Sequence, residues 1–213
     1  RCRNFLWVFV TRFLVMFGFN TVTAFLENYV RDSIPSPYVV FGIEIESYVL
    51  ATALMMGIVL VGSVIAAFGS GFVANKIGRK PVVYIASGLM AGVILVYVFW
   101  VNYQWDLFLI VFFGIGYGSY ISVDWALAAD ALPSSGSFAT DMGIWHVSTN
   151  LPMLVGPLIG GLMIDILNPV GDAIGIDGFG YRLVWIMCVI AYVLAIIFTR
   201  NISTSDEKTN GSA

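Results

Sequence analysis

Six long apolar stretches constrain this chain more than any other feature of its sequence. Each is close to the roughly 20 residues that a helix needs to cross the hydrocarbon core of a bilayer. We expect spans at residues 5–26, 48–73, 81–101, 107–129, 142–164 and 181–199. The connections between them are polar or rich in turn residues. The chain is therefore predicted to be an all-α polytopic membrane protein with six transmembrane helices.

The composition excludes a water-soluble domain. Only 11% of the residues are charged and the mean hydropathy is +0.90, whereas an ordinary soluble domain carries about 25% charged residues. The two cysteines, Cys2 and Cys188, are too few and too far apart for a disulfide framework or a metal site. The sequence contains no nucleophile elbow, phosphate loop or metal-ligand spacing. We therefore expect that the chain is not an enzyme, needs no cofactor and does not bind nucleic acid. The lipid bilayer is its first expected partner.

The basic residues predict the orientation. With a cytoplasmic N-terminus, the cytoplasmic side holds seven of them (Arg1, Arg3, Lys76, Arg79, Lys80, Arg200 and Lys208) and the outer side two (Arg31 and Arg182). Such a bias favours this orientation because basic loops stay on the cytoplasmic side. An even number of spans then places both termini in the cytoplasm. We expect residues 201–213 to form a disordered cytoplasmic tail, and the sequence does not indicate which membrane holds the protein.

Glycine pairs four residues apart predict where helices pack closely. Such spacing places both glycines on one helix face, where the absence of side chains lets two backbones approach. The pairs are Gly88/Gly92, Gly114/Gly118 and Gly156/Gly160.

The connection after the second span carries a motif, GFVANKIGRK, at residues 71–80. Gly71 allows close helix contact, Gly78 permits a sharp turn, and the cations, Arg79 and Lys80 among them, hold the loop in the cytoplasm. This loop resembles the signature loop of the major facilitator superfamily. That family usually has Asp where this chain has Asn75, so the resemblance implies that an ion pair made there is lost or reduced to a hydrogen bond.

A second resemblance covers residues 122–133 (SVDWALAADALP), 141–144 and 151–152. These segments are similar to the sucrose-transporter-like and glycoside–cation symporter branches, which implies a sugar or glycoside moved with H⁺ or Na⁺. Transporters of the superfamily have two six-helix halves, each built from two three-helix inverted repeats, with substrate bound between the halves. The resemblance implies that this chain is one half. A start at Arg1 rather than Met, the altered loop and the polar tail favour the C-terminal half, with the N-terminal half missing.

Three ionisable residues in the apolar stretches are the first candidates for coupling, because a charge inside a bilayer is costly unless it is paired or hydrated. Arg12, Asp124 and His146 fall at similar depths, roughly 6–10 Å from the cytoplasmic face at 1.5 Å per helical residue. We expect Arg12 and Asp124 to pair near the inner end of a central cavity, with His146 close by, so that protonation of the carboxylate is coupled to opening. The alternative is a structural ion pair with His146 as a packing residue.

Further candidates lie deeper or at the ends of the spans. Asn20 and Asn150 fall near mid-membrane, where amides can bind sugar hydroxyls or join helices. Glu27 lies at the outer end of the first span, where we expect it to face the cavity. Asp130 and Asp141 flank an inner loop and are interpreted as gate or cap residues. The aromatic side chains that could stack on a sugar are Phe19, Tyr117, Tyr120 and Trp145.

The leading hypothesis is transport of a small polar solute by alternating access, together with the missing N-terminal half. Two alternatives remain open. The chain could be a non-transporting six-span scaffold or receptor-like protein, or a half-transporter that dimerises with a second copy of itself.

Overall fold

The computed structural model describes residues 2–131 and 138–202, and the side chains of residues 4–127 and 143–202. Within those residues the chain forms six helices and one short hairpin. The helices are α1 (Cys2–Ser33), α2 (Tyr48–Ile77), α3 (Arg79–Phe99), α4 (Tyr103–Ala131), α5 (Phe138–Ile174) and α6 (Phe179–Thr199), and the strands are β1 (Tyr38–Val40) and β2 (Ile43–Ile45).

All six helices are long and apolar enough to cross a membrane. Five predicted spans lie wholly within one helix each, and the third extends two residues past Phe99. The six-span prediction is therefore confirmed. The helices are longer than the apolar stretches, since α1 continues to Ser33 and α5 continues through Pro169 to Ile174. Polar residues can remain helical beyond an apolar stretch, because helix geometry satisfies the backbone whether or not the side chains are in lipid.

The hairpin between α1 and α2 was not expected from the sequence. Tyr38 pairs with Ile45 and Val40 with Ile43, and the turn residues Phe41 and Gly42 both have positive φ, 47° and 87°. Positive φ at both turn positions suits the right-handed twist of two short strands. The buried Tyr38 hydroxyl donates to the Val30 carbonyl at 3.2 Å, which ties the hairpin to α1.

The helix packing follows an inverted repeat. Helices α1–α3 form one triple and α4–α6 the other. Helices α2 and α3 of the first triple pack on α4 of the second, and helices α5 and α6 of the second triple pack on α1 of the first. The counterparts α3 and α6 also pack on each other. Because each helix and its counterpart are three spans apart in the chain, α1 and α4 run in opposite directions. We call the end of the bundle that holds Cys2 and Thr199 the terminal end, and the other the hairpin end.

Glycines form two of the three expected close contacts. A Cβ on Gly114 would strike the Val59 backbone of α2, and one on Gly118 would strike the Ser63 backbone. Gly156 and Gly160 instead make their closest contacts with the side chains of Thr21 and Phe25 of α1. The prediction for Gly88/Gly92 is wrong, since a Cβ on either meets no atom within 4 Å and both residues are exposed. Frequent glycine in membrane helices explains that pair without a packing role.

Candidate functional site

Arg12 lies inside the bundle near the terminal end, in a mostly apolar stretch of α1. Its side chain is 6% exposed, and Nη1 forms an ion pair with Asp124 Oδ2 of α4. Nε and Nη2 both donate to Thr149 Oγ1 of α5, at 3.0 and 2.9 Å. The guanidinium therefore uses three of its nitrogens to join α1, α4 and α5. A buried charge needs such a set of partners, because desolvation is otherwise not offset.

Asp124 is held from its other side by the same helix. Its Oδ1 accepts a hydrogen bond of 3.0 Å from the hydroxyl of Tyr120, one turn earlier on α4. Both side chains are buried, at 1% and 2% exposure. Each carboxylate oxygen thus has one donor, and the carboxylate faces Arg12 in a fixed orientation.

Two tryptophans cover the guanidinium of Arg12. Its Cζ lies 4.1 Å from the ring centroid of Trp145 and 5.9 Å from that of Trp125. Trp145 is fully buried, whereas Trp125 is exposed on the surface of α4. Cation–π contacts of this kind strengthen when water is excluded, so the indoles stabilise the charge in addition to the ion pair. We call Arg12, Tyr120, Asp124, Trp145 and Thr149 the arginine cluster.

The arginine cluster joins the two repeats. Arg12 comes from the first triple and its partners come from α4 and α5 of the second. It therefore lies where a relative movement of the triples would have to break an ion pair and two hydrogen bonds. Chemically, the carboxylate can accept a proton, and protonation would weaken its attraction to Arg12.

We expect Tyr120→Phe to lower the free energy of unfolding by about 1–2 kcal/mol, because it leaves one oxygen of a buried carboxylate without its donor. Tyr192→Phe is the matched control. Tyr192 is equally buried, but its hydroxyl has no hydrogen-bond partner in the described part of the chain, so its removal should be nearly neutral. SDS titration followed by tryptophan fluorescence measures both. Equal effects would mean that the Tyr120 hydroxyl does not hold Asp124.

His146 and Asn150 do not face the interior of the bundle as Trp145 does. Both are exposed on α5, and among the described residues His146 has no bond to Arg12 or Asp124. His146 therefore takes no part in the contacts of the pair among the described residues, and its closeness to the pair stays a prediction. The exposure of His146 follows from helix rotation, since Trp145, one residue earlier, occupies the inward position, and successive residues point about 100° apart.

A polar stripe runs along the exposed side of α1. Asn20, Thr23 and Glu27 recur at intervals of three and four residues and so share one face. Glu27 is exposed, and the other two are partly exposed. Asn20 Nδ2 and Thr23 Oγ1 donate to backbone carbonyls one turn earlier. Beside the stripe, the ring of Phe19 stacks on Tyr117 of α4 with centroids 3.5 Å apart.

Residues 71–77 of the signature loop form the end of α2 rather than a loop, and Gly78 alone makes the turn to α3. Gly78 has φ of 88°, which explains why glycine occupies this position. The close helix contact expected at Gly71 is wrong, since a Cβ there would meet no atom within 4 Å. Asn75 is exposed. Arg79 Nη1 donates to the Ala126 carbonyl of α4 at 3.0 Å, and Lys80 follows it on α3. The side chains of Asp130 and Asp141 lie outside the described residues.

Thr149 and Trp125 were missed by the sequence reasoning. A signal for Thr149 was present, because Gly156 is seven residues later on α5 and so lies on the same face. Ser70 of α2 and Ser122 of α4 were also missed, although their hydroxyls are 2.6 Å apart. Serine is too common in membrane helices to single out such a pair from one sequence.

Comparison with known proteins gives a family and a structural relative. The family model of the Major Facilitator Superfamily matches residues 3–213. Among solved structures, the inward-open conformation of the xylose transporter XylE from E. coli matches with a TM-score of 0.71 and 16% sequence identity. The match covers 95% of this chain and 48% of the transporter, so the chain spans about half its length. No curated protein sequence gives a significant match.

Proposed function

Because this chain belongs to the major facilitator superfamily, we propose that it is the C-terminal six-helix half of a secondary transporter that moves a small polar solute by alternating access. The N-terminal half, from the same polypeptide or a partner subunit, supplies the other wall of the cavity. A sugar or glycoside carried with H⁺ or Na⁺ is the proposed substrate class. The motif at residues 122–133 supports this class, and both termini are proposed to be cytoplasmic.

The polar stripe on α1 carries this proposal. Asn20, Thr23 and Glu27 lie on the outside of the half, on a helix whose other exposed or partly exposed residues are mostly apolar. A carboxylate and an amide facing lipid would be costly, so this side of α1 suits a water-filled cavity. Amide, hydroxyl and carboxylate groups also bind sugar hydroxyls, and Phe19 and Tyr117 lie beside them.

Within this proposal the candidate residues divide by position. Asn20 and Glu27 contact the solute from α1, and the exposed His146 and Asn150 extend the wall on α5. Tyr120, Arg12 and Asp124 lie inside the half, where protonation of Asp124 weakens the contact between the two repeats. The loop residues Gly71, Asn75, Gly78, Arg79 and Lys80, with Asp130 and Asp141, form the gate at the terminal end.

We expect Glu27→Leu to reduce solute uptake into proteoliposomes by at least about tenfold, because a bound polar solute would lose a charged hydrogen-bond acceptor. The chain is reconstituted together with its N-terminal six-helix half, and uptake of labelled mono- and disaccharides is measured. Since Glu27 is exposed, the free energy of unfolding should change by less than about 0.5 kcal/mol.

Gln104→Leu is the matched control, since Gln104 is also polar, exposed and near the hairpin end but lies on α4. Uptake should survive it. Equal uptake by both variants would contradict the assignment of the α1 stripe to the cavity. Binding of a protein partner without any uptake would favour a scaffold or receptor, and uptake by this chain alone as a dimer in detergent-corrected mass would favour a self-dimerising half-transporter.

A further inference from the structure

A long groove with a volume of about 400 Å³ lies between α2 and α3, with α4 as its floor. Its walls are almost entirely apolar, and Gly69 widens it because a Cβ there would meet no atom within 4 Å. From Val73 to Ile65 the groove follows eight residues of α2, which is about 12 Å of helix. The wall residues are Ile65, Gly69 and Val73 of α2 and Val82, Ile85 and Leu89 of α3.

The groove faces away from the proposed cavity. Its floor residues on α4 are Ile115 and Ser119, two positions before and after Tyr117. A step of two residues turns a helix by about 200°, so they point away from the side on which Tyr117 stacks on Phe19 of α1. The polar stripe of α1 and the arginine cluster thus lie across α4 from the groove. Because α2 and α3 are both candidate membrane spans, the groove lies at the level of the bilayer.

Two cations extend the walls of the groove at its terminal end. Lys76 lies three residues after Val73 on α2, and Arg79 lies three residues before Val82 on α3, so each shares a face with its wall. Lys76 is exposed. Arg79 is held in place by its hydrogen bond to the Ala126 carbonyl. The groove therefore has an apolar interior and a positively charged mouth.

We propose that this groove binds one acyl chain of an anionic phospholipid, with the lipid phosphate at Lys76 and Arg79. An acyl chain fits a narrow apolar channel at the level of the bilayer, and the headgroup of such a chain lies at the level of the helix ends. Any phospholipid gains the apolar contact. Only one with net negative charge also gains attraction to the cations, so the charge of the mouth selects the headgroup.

Native mass spectrometry of the purified protein tests the headgroup, using phosphatidylglycerol and phosphatidylcholine with identical palmitoyl-oleoyl chains. The protein should retain phosphatidylglycerol preferentially. Lys76→Gln should weaken that retention by about fivefold and leave phosphatidylcholine unchanged. Arg200→Gln, which removes one charge at the terminal end of α6, should have no effect. Equal retention of the two lipids, or equal losses in the two variants, would overturn the proposal.

A second pair of variants tests the groove itself. Ile85→Trp fills the groove from α3 and should lower retention of both lipids. Leu95→Trp adds the same bulk at an exposed position of α3 outside the groove and should retain them. Undiminished retention by Ile85→Trp would place the lipid elsewhere and overturn the proposal.

Discussion

Replacing Gly118 by Leu should destabilise the folded protein by about 3 kcal/mol or more, at the upper end of the cost of overpacking. Helices α2 and α4 cross at Gly118, and even the first atom of a side chain there would overlap the Ser63 backbone. A flexible side chain could move aside, but backbone cannot move without displacing α2. The overlap therefore forces the two helices apart along their contact.

The measurement is the yield of monodisperse protein in detergent, together with the free energy of unfolding by SDS titration. Gly92→Leu is the control, because Gly92 is exposed on α3 and its Cβ position is empty. That variant should fold like the original protein. If both substitutions had the same effect, helix propensity or insertion would be responsible rather than the contact between α2 and α4.

The helices could be predicted from the sequence because lipid allows few alternatives. A backbone crossing a bilayer must satisfy its own hydrogen bonds, so about 20 apolar residues without a break predict a helix with little ambiguity. The hairpin lacked such a constraint. Its strands have three residues each, and Phe41-Gly42 is a weaker turn signal than Asn-Gly.

Depth was easier to predict than rotation. Counting residues placed Arg12 and Asp124 in one layer, and the structure places them in contact. Rotation about the helix axis decides which side chain faces inward, and a helix that is apolar on all sides carries little information about it. This is why the exposed position of His146 on α5 was not predicted. The glycine face of α5, extended back from Gly156 through Pro152, leads to Trp145 and Thr149 instead.

The position of the arginine cluster changes its proposed role. A substrate ligand would face the open side of the half, but Arg12 and Asp124 are buried within it. The residues of the α1 stripe, in contrast, do face outward. The two sets lie on the same helix, so a solute bound at Asn20 or Glu27 could shift α1 and thereby alter the ion pair near its start.

The second large effect is expected at the Arg12–Asp124 pair. Asp124→Leu leaves a buried guanidinium without its counter-ion and should cost about 3–5 kcal/mol, and Arg12→Met should cost a similar amount for the opposite reason. The double variant should recover most of the loss, because no unpaired buried charge remains. Arg31→Met is the control, since Arg31 forms an exposed ion pair with Asp32, and its loss should change stability far less because water screens an exposed pair.

The free energy of unfolding is measured by SDS titration for the original protein, the two single variants and the double variant. This cycle distinguishes a paired charge from two independent contacts. If the double variant lost the sum of the single losses, Arg12 and Asp124 would not act as a pair.

Coupling of transport to protons is tested separately with Asp124→Asn. Asparagine keeps the shape of the Asp124 side chain but cannot take up a proton. In the uptake assay, this variant should lose the dependence on a pH gradient while still binding solute. Uptake that still followed the gradient would leave the pair with a structural role alone, holding the two repeats together.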